Sequence, residues 1–535
     1  MRVPSSALGR DRRRETIAAP QGLSDARALP SRPRVVVVGG GIAGLAAATG
    51  LAERGVAVEV VEAENYLGGR VGGWTEEQGG PEAGPVAMNR GFHAFFRQYY
   101  NLRSLLARVD PQLRMLTAVE DYPLIDGEGR RDTFRGLPQT PPWNAMAFAL
   151  RSPTFRFRDV FDIDSQALLP LVAVSVPSIY EQLDHTDADS FLEGTRFPAA
   201  ARHLAFEVFS RSFFSDTSEL SAAELAMMFH LYFLGSSEGL IFDVPNSNYD
   251  TALWQPLRNY LQARDVRFSL GTTVLHLEKD SNQPFRVHTD SGDQLDADAV
   301  VLATHVAGLQ RIVAASGGLG GGAWQSQIAQ MRVAPPFAVH RLWLDRPVAA
   351  DRPAFLGTAG HKPLDNISVL DRYERQAREW ASRHGGSVVE LHAYALDSDS
   401  RRDPAASRAA AVRQLHRIYP ETAAAQVVCE RSLERADCPL FPPGSYEQRP
   451  HVVTPQPGLM LAGDAIRIDL PVALMERAAT TGWCAANRLL TSWGLAGHPM
   501  HTVPTNGRLR LLRWLATREG ATRNEHAQPV RTTMV

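Results

Sequence analysis

The sequence predicts an α/β fold of two domains, a Rossmann-type nucleotide-binding domain interleaved with an α+β domain. Three stretches lead there: a valine run opening a glycine turn within residues 34–62, a glycine pair followed by arginine at Gly68–Arg70, and a strand, an acid and a helix start between Gly458 and Leu490.

Val35–Val38 is the kind of apolar run that fills a parallel strand buried on both faces. Gly39, Gly41 and Gly44 then supply a G-x-G-x-x-G turn. The first glycine reverses the chain, the second lets a pyrophosphate approach the backbone, and the third lets the next helix pack closely. That helix is small on its packing face (Ala43, Ala46, Ala47, Ala48) and ends near Gly55. A second strand, Val56–Val61, runs into Glu62, 23 residues past Gly39, where an acid accepts hydrogen bonds from a ribose hydroxyl.

Such a turn also serves NAD sites, or binds nothing. Gly68, Gly69 and Arg70 separate the readings. A longer dinucleotide lying deep in the protein uses a second glycine pair for close backbone approach and an arginine for its phosphates. The combination points to FAD, held without a covalent bond; Cys438 is the one candidate for covalent attachment and is disfavoured.

Length and composition set the bounds. A chain of 535 residues holds about three or four domain-sized units. A net charge of −2 offers nucleic acid no positive excess. Three cysteines (Cys429, Cys438, Cys484) fit neither a disulfide scaffold nor a zinc site, so a reducing compartment and no metal centre are expected. Residues 1–33, rich in Arg, Pro, Ser and Ala, read as a disordered leader lacking the apolar core of a signal peptide. No stretch reads as a membrane span: Ser165–Tyr180 is short, and Ile312–Met331, glycine- and serine-rich, reads as a loop.

A glycine-rich loop, Gly72–Val86, leads into the densest aromatic segment, Asn89–Asn101, and then an amphipathic helix carrying Leu102, Leu105, Leu106 and Val109. Close behind the glycine–arginine element, this segment belongs beside a flavin ring. Phe92, Phe95 and Phe96 are candidate pocket walls, and His93 and Arg97 are polar groups in an apolar site. Residues 111–250 read as a largely helical insertion. Within it, Ala223–Phe242 carries a Met and aromatic stripe, including Met228 and Tyr232, that suits either a core or a long apolar substrate.

The chain then returns to the nucleotide fold, with a helix at Trp254–Ala263 and a strand at Val266–Leu277 that places Val274 at the cofactor. Strands follow at Phe285–Thr289 and Val300–Thr304. Ala338–Leu344 and Val388–Leu396 are strands of the second domain, and Ala405–Ile418 is a helix. The last segment has a strand at Leu459–Ala462, then Gly463 and Asp464, with Asp469 as helix cap and Pro471 in the first turn of a helix over Val472–Leu490. Asp464 reaches the ribityl or pyrophosphate region, while the helix start at Pro471 and Val472 offers N–H groups to the flavin N1–C2=O edge. The FAD-binding domain is thus 34–110, 251–310 and 451–495, the substrate domain 111–250 and 311–450, and 496–535 a tail. In that tail Gly507–Thr517 forms a basic amphipathic helix suited to an anionic lipid surface or to packing on the domain.

The GGGIAGL, GGR and LAGD elements resemble the FAD-dependent amine oxidase and phytoene desaturase superfamily. The wording of Asn89–Leu106 and Leu461–Leu490 is similar to the carotene desaturase/methyltransferases typified by isorenieratene synthase, a resemblance covering about residues 34–495. It implies oxidation of a carotenoid β-ionone ring to an aromatic ring with a methyl shift, an apolar carotenoid partner and an external electron acceptor of unknown identity. With a reducing compartment and a bilayer-resident substrate, the expected location is cytoplasmic, peripheral on the inner face of the cell membrane. His93, Asp469 and Glu476 are the candidate bases. Amine oxidases of the superfamily commonly bridge a lysine through water to flavin N5; Lys279 and Lys362, the only lysines, both fall in turns. Plain polyisoprenoid desaturation, flavin-dependent isomerisation and a non-catalytic lipid carrier are the alternatives.

Overall fold

The structure, a computed structural model, describes residues 9–77, 84–153, 164, 166–196, 214–240, 242–280 and 283–507. A five-stranded parallel sheet runs in the order 267–270, 57–62, 34–38, 299–302, 459–461, drawing its strands from three separate parts of the chain. Every residue of the helix Ile42–Ala52 is buried, because the sheet covers one side and the long helix Leu474–Ser492 lies on the other. The two helices approach closely through glycine. A Cβ on Gly482 would collide with the Ala43 carbonyl oxygen, and one on Gly50 would sit 2.7 Å from the Ala486 methyl.

The strand expected over Val266–Leu277 is two strands. Arg267–Leu270 pairs in the parallel sheet; Gly271, at φ +65°, turns the chain, and Val274–Glu278 starts an antiparallel meander with Phe285–Thr289 and Gln294–Ala297. A second, seven-stranded sheet runs in the order 427–435, 337–344, 387–393, 366–369, 355–358, 124–125, 131–132. Its last two strands come from the insertion expected to be helical. They are two residues long, too short for periodicity to reveal.

Two other expectations need correction. Residues 9–33 are ordered: Glu15–Ile17 pairs antiparallel with Met500–Thr502, and Arg10 and Asp11 donate their N–H groups to the Glu238 carboxylate. Backbone pairing and carboxylates tie this segment down, so its polar composition concealed it. Ile312–Met331 is not a loop throughout, since Gly322–Ala329 is a helix anchored by buried Trp324 and Ile328. The amphipathic helix expected over 507–517 lies, apart from Gly507, outside the described residues.

Candidate functional site

A cavity of about 580 Å³ runs between the two sheets. One end is a glycine cradle. Gly39 has φ +111°, and a Cβ there would press into the Ala303 carbonyl; a Cβ on Gly44 would collide with the Gly39 carbonyl, so helix and strand could not dock. Gly40 donates its N–H to Glu62 Oε2 at 2.5 Å, fixing the acid beside the turn, and burial raises the Glu62 pKa. Gly68, at φ +97°, donates to the Gly40 carbonyl at 2.9 Å, so the second glycine pair lies directly against the first. Arg70 donates to the Asp464 carboxylate. Gly39, Gly41, Glu62, Gly68, Gly69, Arg70, Val274, Gly463 and Asp464 all line the cavity.

Whether FAD fits can be judged from the helix ends. Ile42–Ala52 and Leu474–Ser492 both start at the cavity, and their cap residues, Gly41 and Ala473, contribute no side-chain hydrogen bond. First-turn N–H groups are therefore left for a ligand. One helix suits a pyrophosphate and the other the electron-accepting edge of a flavin. The cradle fits the cofactor.

The second helix start departs from expectation. Asp469 does not cap it; its carboxylate accepts from Tyr446 Oη at 2.6 Å and Arg467 Nε at 3.1 Å. The helix begins only at Leu474, which sits at φ +51°, a conformation that costs a branched residue about 1–3 kcal/mol. Leu474 and Met475, rather than Pro471 and Val472, meet the cavity. Glu476 is a structural acid. Buried to 1% exposure and off the cavity, it accepts the N–H groups of Asn101 (2.8 Å) and Leu102 (3.0 Å), capping the helix Tyr100–Leu106 from outside, and burial pushes its carboxyl up to about 8 against those donors.

The other end of the cavity is aromatic. Phe92 packs on Phe355 (4.7 Å between centroids) and Phe242 (5.4 Å), and Phe96 on Tyr232 (4.5 Å). Phe92 and Phe96 line the space, whereas Phe95, on the opposite face of the same short strand, is wholly buried in the core. Arg97 also misses the cavity and donates to Asp243 at 3.2 Å. Met228 and Tyr232 lie behind the wall, so the Met and aromatic stripe is core; the Tyr232 hydroxyl meets that of Tyr99, which does line the cavity, at 2.5 Å.

His93 is the expected candidate base that reaches the cavity. Burial, with the charges of Arg70 and Arg90, pushes its imidazole down to about 4, so it is neutral. Its Nδ1 lies 3.0 Å from the Gly91 carbonyl, which fixes the proton there and leaves the Nε2 lone pair to accept. Cys438 also lines the site, but burial pushes its thiol up to about 12, which keeps it from acting as a nucleophile.

Sequence reasoning missed a second polar group. Glu390 and His392 share one face of the strand Ser387–Ala393 and Tyr394 follows just past its end; His392 bridges Glu390 (2.8 Å) and the Tyr394 hydroxyl (2.7 Å), and His392 and Tyr394 line the cavity. Burial works against the Glu390 charge, yet Arg341, donating at 2.8 Å, holds its carboxyl down to about 2. The i, i+2, i+4 spacing of polar groups in an apolar strand was the available signal. Arg90 and Asp437, paired at 2.6 Å and both at the cavity, gave no local signal.

Residues 42–490 match the family described as flavin containing amine oxidoreductase. The chain is 54% identical over 508 residues to the carotenoid phi-ring synthase of Streptomyces griseus, covering 95% of this chain and 97% of that one. It is 27% identical to the carotenoid phi-ring synthase of Chlorobaculum tepidum, over 90% and 92% of the two chains. Cyclohexylamine oxidase from Brevibacterium oxydans shares the fold, with a TM-score of 0.62 at 15% identity over 86% of this chain and 100% of that one. The chain therefore belongs to the flavin containing amine oxidoreductase family and is an FAD-dependent oxidoreductase.

Proposed function

We propose that the chain oxidises the β-ionone end group of a carotenoid to an aromatic ring, with migration of one methyl group. The observation that carries this reading is the continuity of the FAD cradle with an apolar aromatic space that neither lysine reaches. The names of the two carotenoid relatives support the substrate class.

FAD, when bound, supplies the hydride acceptor. A quaternary gem-dimethyl carbon blocks aromatisation by dehydrogenation alone. A first dehydrogenation makes the ring a conjugated diene. Loss of a second hydride, from the CH2 next to the quaternary carbon, then leaves an allylic cation beside it, a methyl group moves with its bonding pair onto that position, and loss of the proton from the carbon that received it completes the aromatic ring. Each oxidation removes two electrons, which an external acceptor must take up from the cofactor before the next, and no methyl donor is consumed.

The residues divide this work. Phe92 and Phe96 exclude water and offer π-faces to the transient cation. His93 Nε2 accepts the proton; a cation of this kind is acidic enough that a base of pKa about 4 suffices. Arg70 and Asp464 position the cofactor.

A carotenoid resides in a bilayer, so we place the enzyme peripherally on the membrane. Among the described residues no helix is long and apolar enough to cross one. Trp143, Met146 and Leu150 share one face of the helix Trp143–Arg151 and are 60%, 49% and 71% exposed, a surface suited to insertion at the headgroup level.

Expression in a β-carotene-producing host tests the reaction. Mass and NMR analysis should find a carotenoid of unchanged carbon count, fewer hydrogens and aromatic ends. Unchanged β-carotene beside a yellow, FAD-loaded protein would overturn the proposal in favour of acyclic desaturation or isomerisation.

A further inference from the structure

We propose that His276, Glu278 and His288 form a binding site for a late first-row divalent metal ion, Zn2+ foremost, on the solvent face of the three-stranded meander. His276 and His288 are cross-strand partners, and Glu278 follows His276 by two residues, so the pleat sets all three side chains on one face. One ligand atom from each lies within 4.8 Å of the others.

The three side chains already converge on one point. The two imidazole rings stack at 4.2 Å with 9° between their planes, and both present Nε2 to the same carboxylate: His288 to Oε2 at 3.2 Å, His276 to Oε1 at 3.8 Å. The Nε2 of His288 is shielded from water and makes no aligned hydrogen bond despite that proximity. Two stacked imidazolium ions would repel, while a neutral ring in its Nε2–H form can serve the carboxylate only as a single donor. A metal ion among the three atoms would engage both rings and the carboxylate together. Two imidazoles and one carboxylate form a zinc-type donor set with a fourth position open to water. Bonds of about 2.0–2.1 Å require the ligand atoms to draw closer together.

The competing cation is Arg286, whose Nη1 lies 3.5 Å from Glu278 Oε2 and whose Nε lies 3.8 Å from Asp296 Oδ1; it can release Glu278 and remain paired with Asp296. A bound ion would clip the strand that begins beside Thr272, Thr273 and Val274 at the cofactor cavity to the strand whose end, Thr289, pairs with Val274.

Calorimetric titration of Zn2+ into the tag-free, FAD-loaded full chain tests the site, with visible absorption of Co2+ as a second readout. One ion per chain should bind beyond the number bound by the H276Q/H288Q double variant. Glu278→Gln should weaken that binding by about tenfold or more. Arg286→Gln, which removes the competitor, should tighten it severalfold. FAD content and Tm without metal establish that each variant is folded. Equal stoichiometry in wild type and double variant would overturn the proposal. So would effective competition by Mg2+ or Ca2+, which marks a diffuse acidic patch instead of a nitrogen-rich site.

Discussion

Arg70 donates to the carboxylate of Asp464 across 394 residues of sequence, closing the FAD cradle between its earliest and latest elements. Burial opposes the Arg70 charge, but Asp464 outweighs it and raises the guanidinium pKa. Arg70→Ala leaves Asp464, with its side chain 9% exposed, unpaired beside the phosphate path. The expected loss is about 1.5–3 kcal/mol of cofactor binding, a fall in FAD affinity of about 10- to 100-fold. The flavin-to-protein absorbance ratio during dilution reads it.

Gly44→Ala tests the cradle from the other side. The added methyl collides with the Gly39 carbonyl, an atom of backbone that cannot rotate away. The variant should purify without flavin colour, or unfold at least about 3 kcal/mol more easily in urea, as expected of overpacking in a rigid site.

Glu224 links three distant parts of the chain electrostatically. Fully buried, it accepts from Arg477 at 2.9 Å, from Arg449 and from Tyr180, while Arg477 donates onward to the Asp464 and Val472 carbonyls. Burial raises its pKa, but Arg477 and Arg449 outweigh that and hold it down to about 2. A depressed carboxyl contributes stability that is present above its unfolded pKa of about 4.5 and is lost as pH falls toward 2. Glu224→Gln strands two buried arginines and should cost about 3–5 kcal/mol at pH 7. The Tm gap between wild type and variant should narrow as pH falls below about 4.5.

His93 and Glu476 should separate cleanly. His93→Ala should retain FAD and lose turnover by about a hundredfold or more. Glu476→Gln removes an acceptor from one helix start, so turnover should persist while stability falls by about 1–2 kcal/mol. Full turnover in His93→Ala would eliminate it as the base and direct attention to His392 and Tyr394.

Membrane attachment is read by vesicle co-sedimentation. Trp143→Asp with Leu150→Asp should release the protein from liposomes without altering FAD content, since both side chains face solvent.

What the sequence disclosed follows from how local each constraint is. The glycine turn was legible because positive φ at Gly39 and Gly68, and the tight approach at Gly44, admit no other residue type. Asp464 was legible because strand, glycine, acid and helix sit within one short segment. The start of that helix was misjudged because Leu474 takes a positive φ that no propensity anticipates, which delays the helix past Asp469 and Pro471. Glu476 looked catalytic because nothing nearby in sequence reveals that its partners are N–H groups 374 and 375 residues away. The Glu224–Arg477 and Arg90–Asp437 pairs are invisible for the same reason.

The sheet order has a consequence for biosynthesis. Arg34–Val38 and Gly68–Arg70 leave the ribosome early, yet the strand Leu459–Leu461, Asp464 and the pairing partner of Glu15–Ile17 emerge last. Until then the strand Ala299–Leu302 shows a bare apolar edge, a template for wrong pairing. Cofactor capture should therefore come late in folding, and a chain truncated before residue 461 should purify without flavin colour, however complete its first glycine turn.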